Sequence, residues 1–164
     1  MVRVLLDYKA DVNARGFDNW APLHMVSQGV QFFGILRHNP QMLADVARLL
    51  LEHGADVTAL TDDGETPLHI AAEWNAVEVV RVLLEHSADV GAKDNTGSTP
   101  LHNTVGHRYA GGHRRVEIVR VLLEHGANVG AEDNEGRTPF QIASADGENE
   151  IIELLSEKGA KDVS

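Results

Sequence analysis

The chain has 164 residues, no cysteine and a formal net charge of −11, from 14 basic and 25 acidic side chains. That length suits one domain burying roughly two-thirds of its unfolded surface, and with 43% hydrophobic but 5% aromatic residues the core must be aliphatic. The composition excludes disulfides and Cys-based zinc sites. An acidic chain repels nucleic acid and anionic lipid on average, and no apolar run reaches the ~18 residues of a membrane span.

In chain order, Met1–Arg15 opens with the apolar stripe Val2, Val4, Leu5 and Leu6, too short for a secretory leader, and a polar return follows. Gly16–Leu60 starts with a turn containing Phe17 and Trp20. It continues through Ala21-Pro22-Leu23-His24 and ends in the run Leu50–Val57. Thr61–Lys93 is the cleanest segment. Asp62-Asp63-Gly64-Glu65 is a turn signal. Thr66 suits a helix N-cap and Pro67 its first turn, where the missing N–H has no helical partner to lose. Leu68, Ala71 and Ala72 predict a short helix with a small-residue face. Val77, Val79, Val80, Val82, Leu83 and Leu84 predict a second helix, apolar on most sides and so sandwiched between neighbours. Ser87 stands where other segments carry Gly54, Gly126 and Gly159, the residue type that usually closes a helix in the left-handed conformation. Asp94–Glu132 repeats the scheme with Thr99–His102 and Leu122–Val129. Asp133–Ser164 repeats it with Thr138–Gln141 and, more weakly, Leu154–Lys161.

The prolines at 22, 67, 100 and 139 lie 45, 33 and 39 residues apart, and a period near 33 marks a repeat architecture. Asp-Asp-Gly-Glu-Thr-Pro-Leu-His-Ile-Ala-Ala (62–72), with Val-Glu-Val-Val-Arg-Val-Leu-Leu-Glu-His-Ser-Ala-Asp-Val (77–90), resembles the ankyrin repeat. The resemblance covers nearly the whole chain: four units plus Met1–Arg15, which matches only the second helix and return of a further unit. It implies an all-α solenoid of stacked helix-turn-helix units joined by β-turn or hairpin loops. Such proteins mostly bind other proteins along a concave face of hairpin tips and first helices, a functional step taken by analogy from the fold.

The departures carry the individual information. The first full unit is 12 residues too long, through an insert at about Val30–Gln41. The third is 6 too long, through an insert at about Arg108–His113. Inserts in repeat arrays map to loops on one face, often the binding face. The first holds Phe32, Phe33, Ile35 and Leu36; the second is basic, with Arg108 and Tyr109 followed by Arg114 and Arg115. Trp74, at the end of a first helix, falls near the same edge. Phe17 and Trp20 occupy the tip positions held by Asp62 and Glu65 one unit later, and exposed aromatics are common interface anchors. Two partner surfaces are therefore expected. One is an insert edge (Phe32, Phe33, Trp74, Arg108, Tyr109, Arg114, Arg115), suited to an acidic segment with an apolar anchor and favoured by the sequence pattern. The other is the acidic turns (Asp62, Asp63, Glu65, Asp133, Glu135) at the other end of the helices, suited to a basic one.

The histidines do not compel a metal site. His24, His69 and His102 recur in the Thr-Pro-Leu-His motif, where the family uses them to bond neighbouring turns, and His53, His86 and His125 recur at the ends of second helices. Only His107 and His113 flank a loop in a manner that suits adventitious metal. No nucleotide-binding or hydrolase motif is present, so the expectation is a non-enzymatic, cofactor-free protein-interaction scaffold, cytoplasmic or otherwise intracellular. A small-ligand or anion sensor built on Arg108–Arg115 is the alternative. The N-terminal end, beginning inside a unit, is expected to fray or self-associate; Gln141, Ser144, Glu148, Asn149, Glu153 and Glu157 should make the last unit a polar cap.

Overall fold

The computed structural model describes residues 8–29, 40–106 and 112–159. Eight α-helices stand in four pairs among them: α1 (Pro22–Ser27) and α2 (Pro40–Glu52), α3 (Pro67–Glu73) and α4 (Val77–Glu85), α5 (Pro100–Gly106) and α6 (Gly112–Glu124), α7 (Pro139–Asp146) and α8 (Asn149–Glu157). First helices pack in one row, α1 on α3 on α5 on α7. Second helices pack in another, α2 on α4 on α6 on α8. No strand occurs among the described residues, so the all-α solenoid expected from the repeat is what forms.

Local chemistry sets the helix starts. Each first helix begins at a proline. Thr66 accepts a hydrogen bond from the His69 N–H at 3.4 Å, and its own N–H donates to His69 Nδ1 at 3.2 Å. Because Nδ1 accepts, Nε2 must carry the proton, and it donates to the Ser98 carbonyl of the next unit at 3.0 Å. His24 reaches the Glu65 carbonyl at 3.2 Å and His102 the Arg137 carbonyl at 3.1 Å in the same way. Burial holds all three imidazoles below their ordinary pKa, against the opposing effect of these carbonyl bonds, so they are neutral staples between units. In the last unit Gln141 replaces the histidine and bonds only its own turn, accepting from Thr138 N–H at 2.9 Å. His53, His86 and His125 each bond the carbonyl four residues back at 2.8 Å, closing their second helices.

The core is the interface between the rows. Leu23, Leu68, Leu83, Leu101, Ile118, Leu122, Ile151 and Leu155 are fully buried, each such side chain contributing roughly 1.5–3 kcal/mol. Ion pairs tie successive second helices: Arg48 to Glu85 at 3.8 Å, and Arg81 to Glu117.

The inserts differ from the expected boundaries. Both end as one additional turn of the second helix, so α2 and α6 are 13 residues long where α4 is 9. Pro40 and Gln41, and His113, thus belong to helices rather than loops. Leu43 and Ala44 are buried in this part of α2, which is why helix rather than a solvated linker forms there. Residues 30–39 and 107–111, with Phe32, Phe33, Arg108 and Tyr109, lie outside the described residues, as do Val2, Val4, Leu5 and Leu6 of the N-terminal stripe.

Candidate functional site

The hairpin tips form a hydrogen-bonded ladder. Asp62 N–H donates to the Asp18 carbonyl at 3.0 Å, Asn95 N–H to Asp63 at 3.0 Å, and Asn134 N–H to Thr96 at 2.9 Å. Side-chain amides reinforce it: Asn19 to the Leu60 carbonyl, Asn95 to Asp62 and Asn134 to Asn95, each at 3.0 Å. The close approach needs glycine: a Cβ on Gly64 (φ 76°) would fall 2.5 Å from Asn95 Oδ1. Asn19, in the equivalent position of the first unit, takes φ 61°, as its tolerance of the left-handed region suggests. The tips therefore present their side chains on a fixed backbone.

Charge along this ladder is uneven. In the last unit Asp133 accepts hydrogen bonds from Glu135 N–H, Arg137 N–H and Arg137 Nε, each at 2.9 Å. Burial alone would raise its carboxyl, but the bonds from Arg137 and Glu135 hold it below the usual range. Arg137 also pairs with Glu135 at 3.0 Å. The acidity of that tip is neutralised within the chain. Among the described residues the tip of the second unit has no such pairing. Glu65 is pushed up to about 7 by burial first, then by the charges of Glu73, Asp94 and Asp63. Among the described residues no lysine or arginine pairs with Asp62, Asp63 or Glu65.

Beside this acidic patch the first unit is apolar. Phe17 is 88% exposed, Tyr8 85% and Met25 39%; among the described residues the only other exposed large hydrophobe is Leu60. Trp20 is partly buried, its ring 5.9 Å from that of His24. Of these, Phe17, Met25 and Trp20 line a groove of about 820 Å3, floored by Pro22, Met25 and Val26 of α1 and Val46 and Leu50 of α2, and walled by Ala10, Asp11, Val12 and Ala14 to Asp18 with Trp20.

The insert edge is assembled differently from the expectation. Arg114 is exposed at the start of α6 and Trp74 is partly buried at the end of α3. Arg115 is buried, not displayed: its guanidinium pairs with Glu148 of the following unit. The extra helical turn explains this, because it rotates successive side chains by ~100° and so sends neighbours Arg114 and Arg115 to different faces. Glu148 and Gln141 are accordingly structural, and the polar cap rests on Ser144, Asn149, Glu153 and Glu157, which are exposed. Sequence reasoning missed the floor of the groove. No local signal gives it: Met25 occupies the position of the buried Ile70, and Pro22 that of the buried Pro67, so both read as core.

Among the described residues no helix is long and apolar enough to cross a membrane, and no group of three or more His, Asp or Glu is placed to hold a metal ion. A search of curated proteins finds no match. The family model for ankyrin repeats, three copies, matches residues 32–111 and 89–164. The α1 side of the groove precedes that span and its α2 side, with Val46 and Leu50, lies within it; α1 packs on α3 as α3 packs on α5. With the paired helices, the proline-started first helices and the histidine staples, this match shows that the chain belongs to the ankyrin-repeat family.

Proposed function

We propose that the protein is a protein-interaction scaffold that engages its partner through the tips and first helices of its first two units. Ankyrin repeats are generally protein-binding modules and typically non-enzymatic. The observation that carries the choice of surface is the juxtaposition of the exposed apolar groove at Phe17, Trp20 and Met25 with carboxylates at Asp62, Asp63 and Glu65 that no cation of the described chain neutralises. Apolar anchors rimmed by uncompensated charge suit a partner with the opposite charge. The insert edge, favoured by sequence pattern, is the weaker site because Arg115 is committed to Glu148. The anion-sensor alternative loses the same arginine, and the groove lies at the other end of the array. Lack of cysteine fits work in a reducing compartment such as the cytosol.

The test is capture of partners from the native host with two paired variants. Asp62→Ala with Asp63→Ala should remove the specific partner, while Trp74→Ala with Arg114→Ala should retain it. Retention by the first pair and loss with the second would assign the function to the insert edge instead.

A further inference from the structure

We propose that His24, His69 and His102 form a pH-sensitive latch, which fixes the following hairpin tip near neutral pH and releases it on mild acidification. The latch stands on the fold alone; its consequence for partner binding rests on the protein-binding reading.

The three imidazoles hold one position in successive units and are closed off from water: His24 and His69 are fully buried and His102 is 2% exposed. Each ring spans two units. Nδ1 accepts the N–H of the residue before the helix proline, from Ala21 at 3.1 Å, Thr66 at 3.2 Å and Thr99 at 3.1 Å. Nε2 donates to the carbonyl of Glu65, Ser98 or Arg137, one unit further on. Those carbonyls are the ones that close the tips, for they also accept the N–H of Thr61, Asp94 and Asp133, each at 3.0 Å. Each imidazole thus grips the next tip at the bond that shapes it.

This wiring admits only the neutral ring. A proton on Nδ1 would face the N–H it now accepts and leave a buried donor without a partner. Turning the Thr66 or Thr99 hydroxyl, 2.8 and 2.9 Å from Nδ1, to take the new proton still orphans that N–H. Nearby charges do not rescue the imidazolium. His69 faces Asp94 and Asp89, which favour it; His102 faces Asp133, which favours it, and Lys93, which opposes it; His24 faces Asp56 and Arg15 in the same opposition. In all three, burial outweighs these charges and the carbonyl bonds. In an opened junction the ring meets water and returns to its ordinary value of about 6.5, so opening gains about ten-fold one pH unit below that value. The chain also shows a version that does not titrate: Gln141, at the same position, accepts from Thr138 N–H at 2.9 Å.

The experiment is amide hydrogen exchange by NMR on the full chain and on His69→Gln/His102→Gln, at pH 7.5 and 5.5, read as protection factors so that the intrinsic pH dependence of exchange cancels. Glu65, whose raised carboxyl titrates in the opposite sense, is common to both proteins. In the parent, protection of the Asn95 and Asn134 amides, which tie the third and fourth tips to the ladder, should fall about ten-fold at pH 5.5, while Val80 and Leu83 in α4 hold theirs. The variant should show no such fall. The ring 15N shifts of the parent keep the test independent of the variant's folding: His69 and His102 should be Nε2–H tautomers at pH 7.5 and gain a proton over the range in which the tips lose protection. The latch is overturned if parent protection does not vary with pH, if the variant loses it equally, if the α4 amides fall with the tips, or if the rings titrate while the tips stay protected. Host partners captured at pH 7.5 should leave the parent at pH 5.5 and stay on the variant. If the tips loosen and the partner stays on the parent, the latch stands and the tips are not the partner surface.

Discussion

Replacing Glu65 by Gln should stabilise the protein at neutral and alkaline pH. The carboxylate is partly buried and faces Glu73, Asp94 and Asp63, which with burial raise it from 4.5 to about 7. The folded state therefore holds the proton more tightly than the unfolded chain. The penalty of the ionised group is nearly absent below pH 4.5, grows as pH rises, and is complete above pH 7. A change of that size corresponds to ~3.4 kcal/mol undiminished; because the side chain still meets water, screening reduces the expected gain to ~1–2 kcal/mol at pH 8. Glutamine keeps the size and removes the charge. Urea melts of both proteins at pH 8 and at pH 4.5 isolate the effect, since the histidine staples and other carboxylates are common to the pair. The advantage of Glu65→Gln should fall to a few tenths of a kcal/mol at pH 4.5. A gain that does not vary with pH, or a loss at pH 8, would refute the picture of a Glu65 carboxyl raised by burial and neighbouring carboxylates.

Other substitutions probe the frame that carries this patch. Gly64→Ala should cost ~2–3 kcal/mol in denaturant melts, because its Cβ meets Asn95 Oδ1 at 2.5 Å on a backbone with φ 76°; a neutral variant would mean the tip ladder yields. Ser87 adopts φ 64° where Gly54, Gly126 and Gly159 stand in open space, so Ser87→Gly should raise stability by ~0.5–1 kcal/mol. Ala21 offers no side-chain cap to α1 although its N–H bonds His24 Nδ1 at 3.1 Å. Ala21→Thr, copying Thr66, should add about 0.5–1 kcal/mol, and no gain would indicate that the buried site cannot admit the methyl.

The parts of this fold readable from sequence were those fixed by local chemistry repeated in each unit. Pro67, Pro100 and Pro139 mark helix starts because a lost N–H is harmless there, and the Thr-x-x-His spacing yields the staple wherever it occurs. Asn19 in place of glycine was legible for the same reason. The inserts were less so. Their length was evident, but whether a residue joins a loop or extends a helix depends on what its side chain packs against, and no local signal gives that for Arg115 or Leu43. The groove was illegible for a related reason. Met25 reads as an ordinary core residue at a helical period, and only the arrangement of its neighbours leaves it open.

The two ends of the array differ in how completely each satisfies its own surface. At the last tip Arg137 reaches back to Asp133 and across to Glu135, so its charges close on one another. Gln141 bonds its own turn and leaves no ring nitrogen seeking a following carbonyl. Ser144, Asn149, Glu153 and Glu157 face water, where polar side chains cost little. Among the described residues of the first unit Arg15 closes on Asn19, Leu60 and Asp56, but Phe17 and Met25 stay exposed, and the adjacent Glu65 lacks a cation among the described residues. Apolar exposure and like-charge crowding both raise the free energy of the unliganded chain, and both are relieved by one kind of contact, an apolar body bearing positive charge. Such a contact gains affinity from costs the free protein already bears, so binding and stability should trade against each other at this end. Glu65→Gln, which relieves the crowding without a partner, should accordingly weaken capture of a basic partner under the same conditions in which it strengthens the fold.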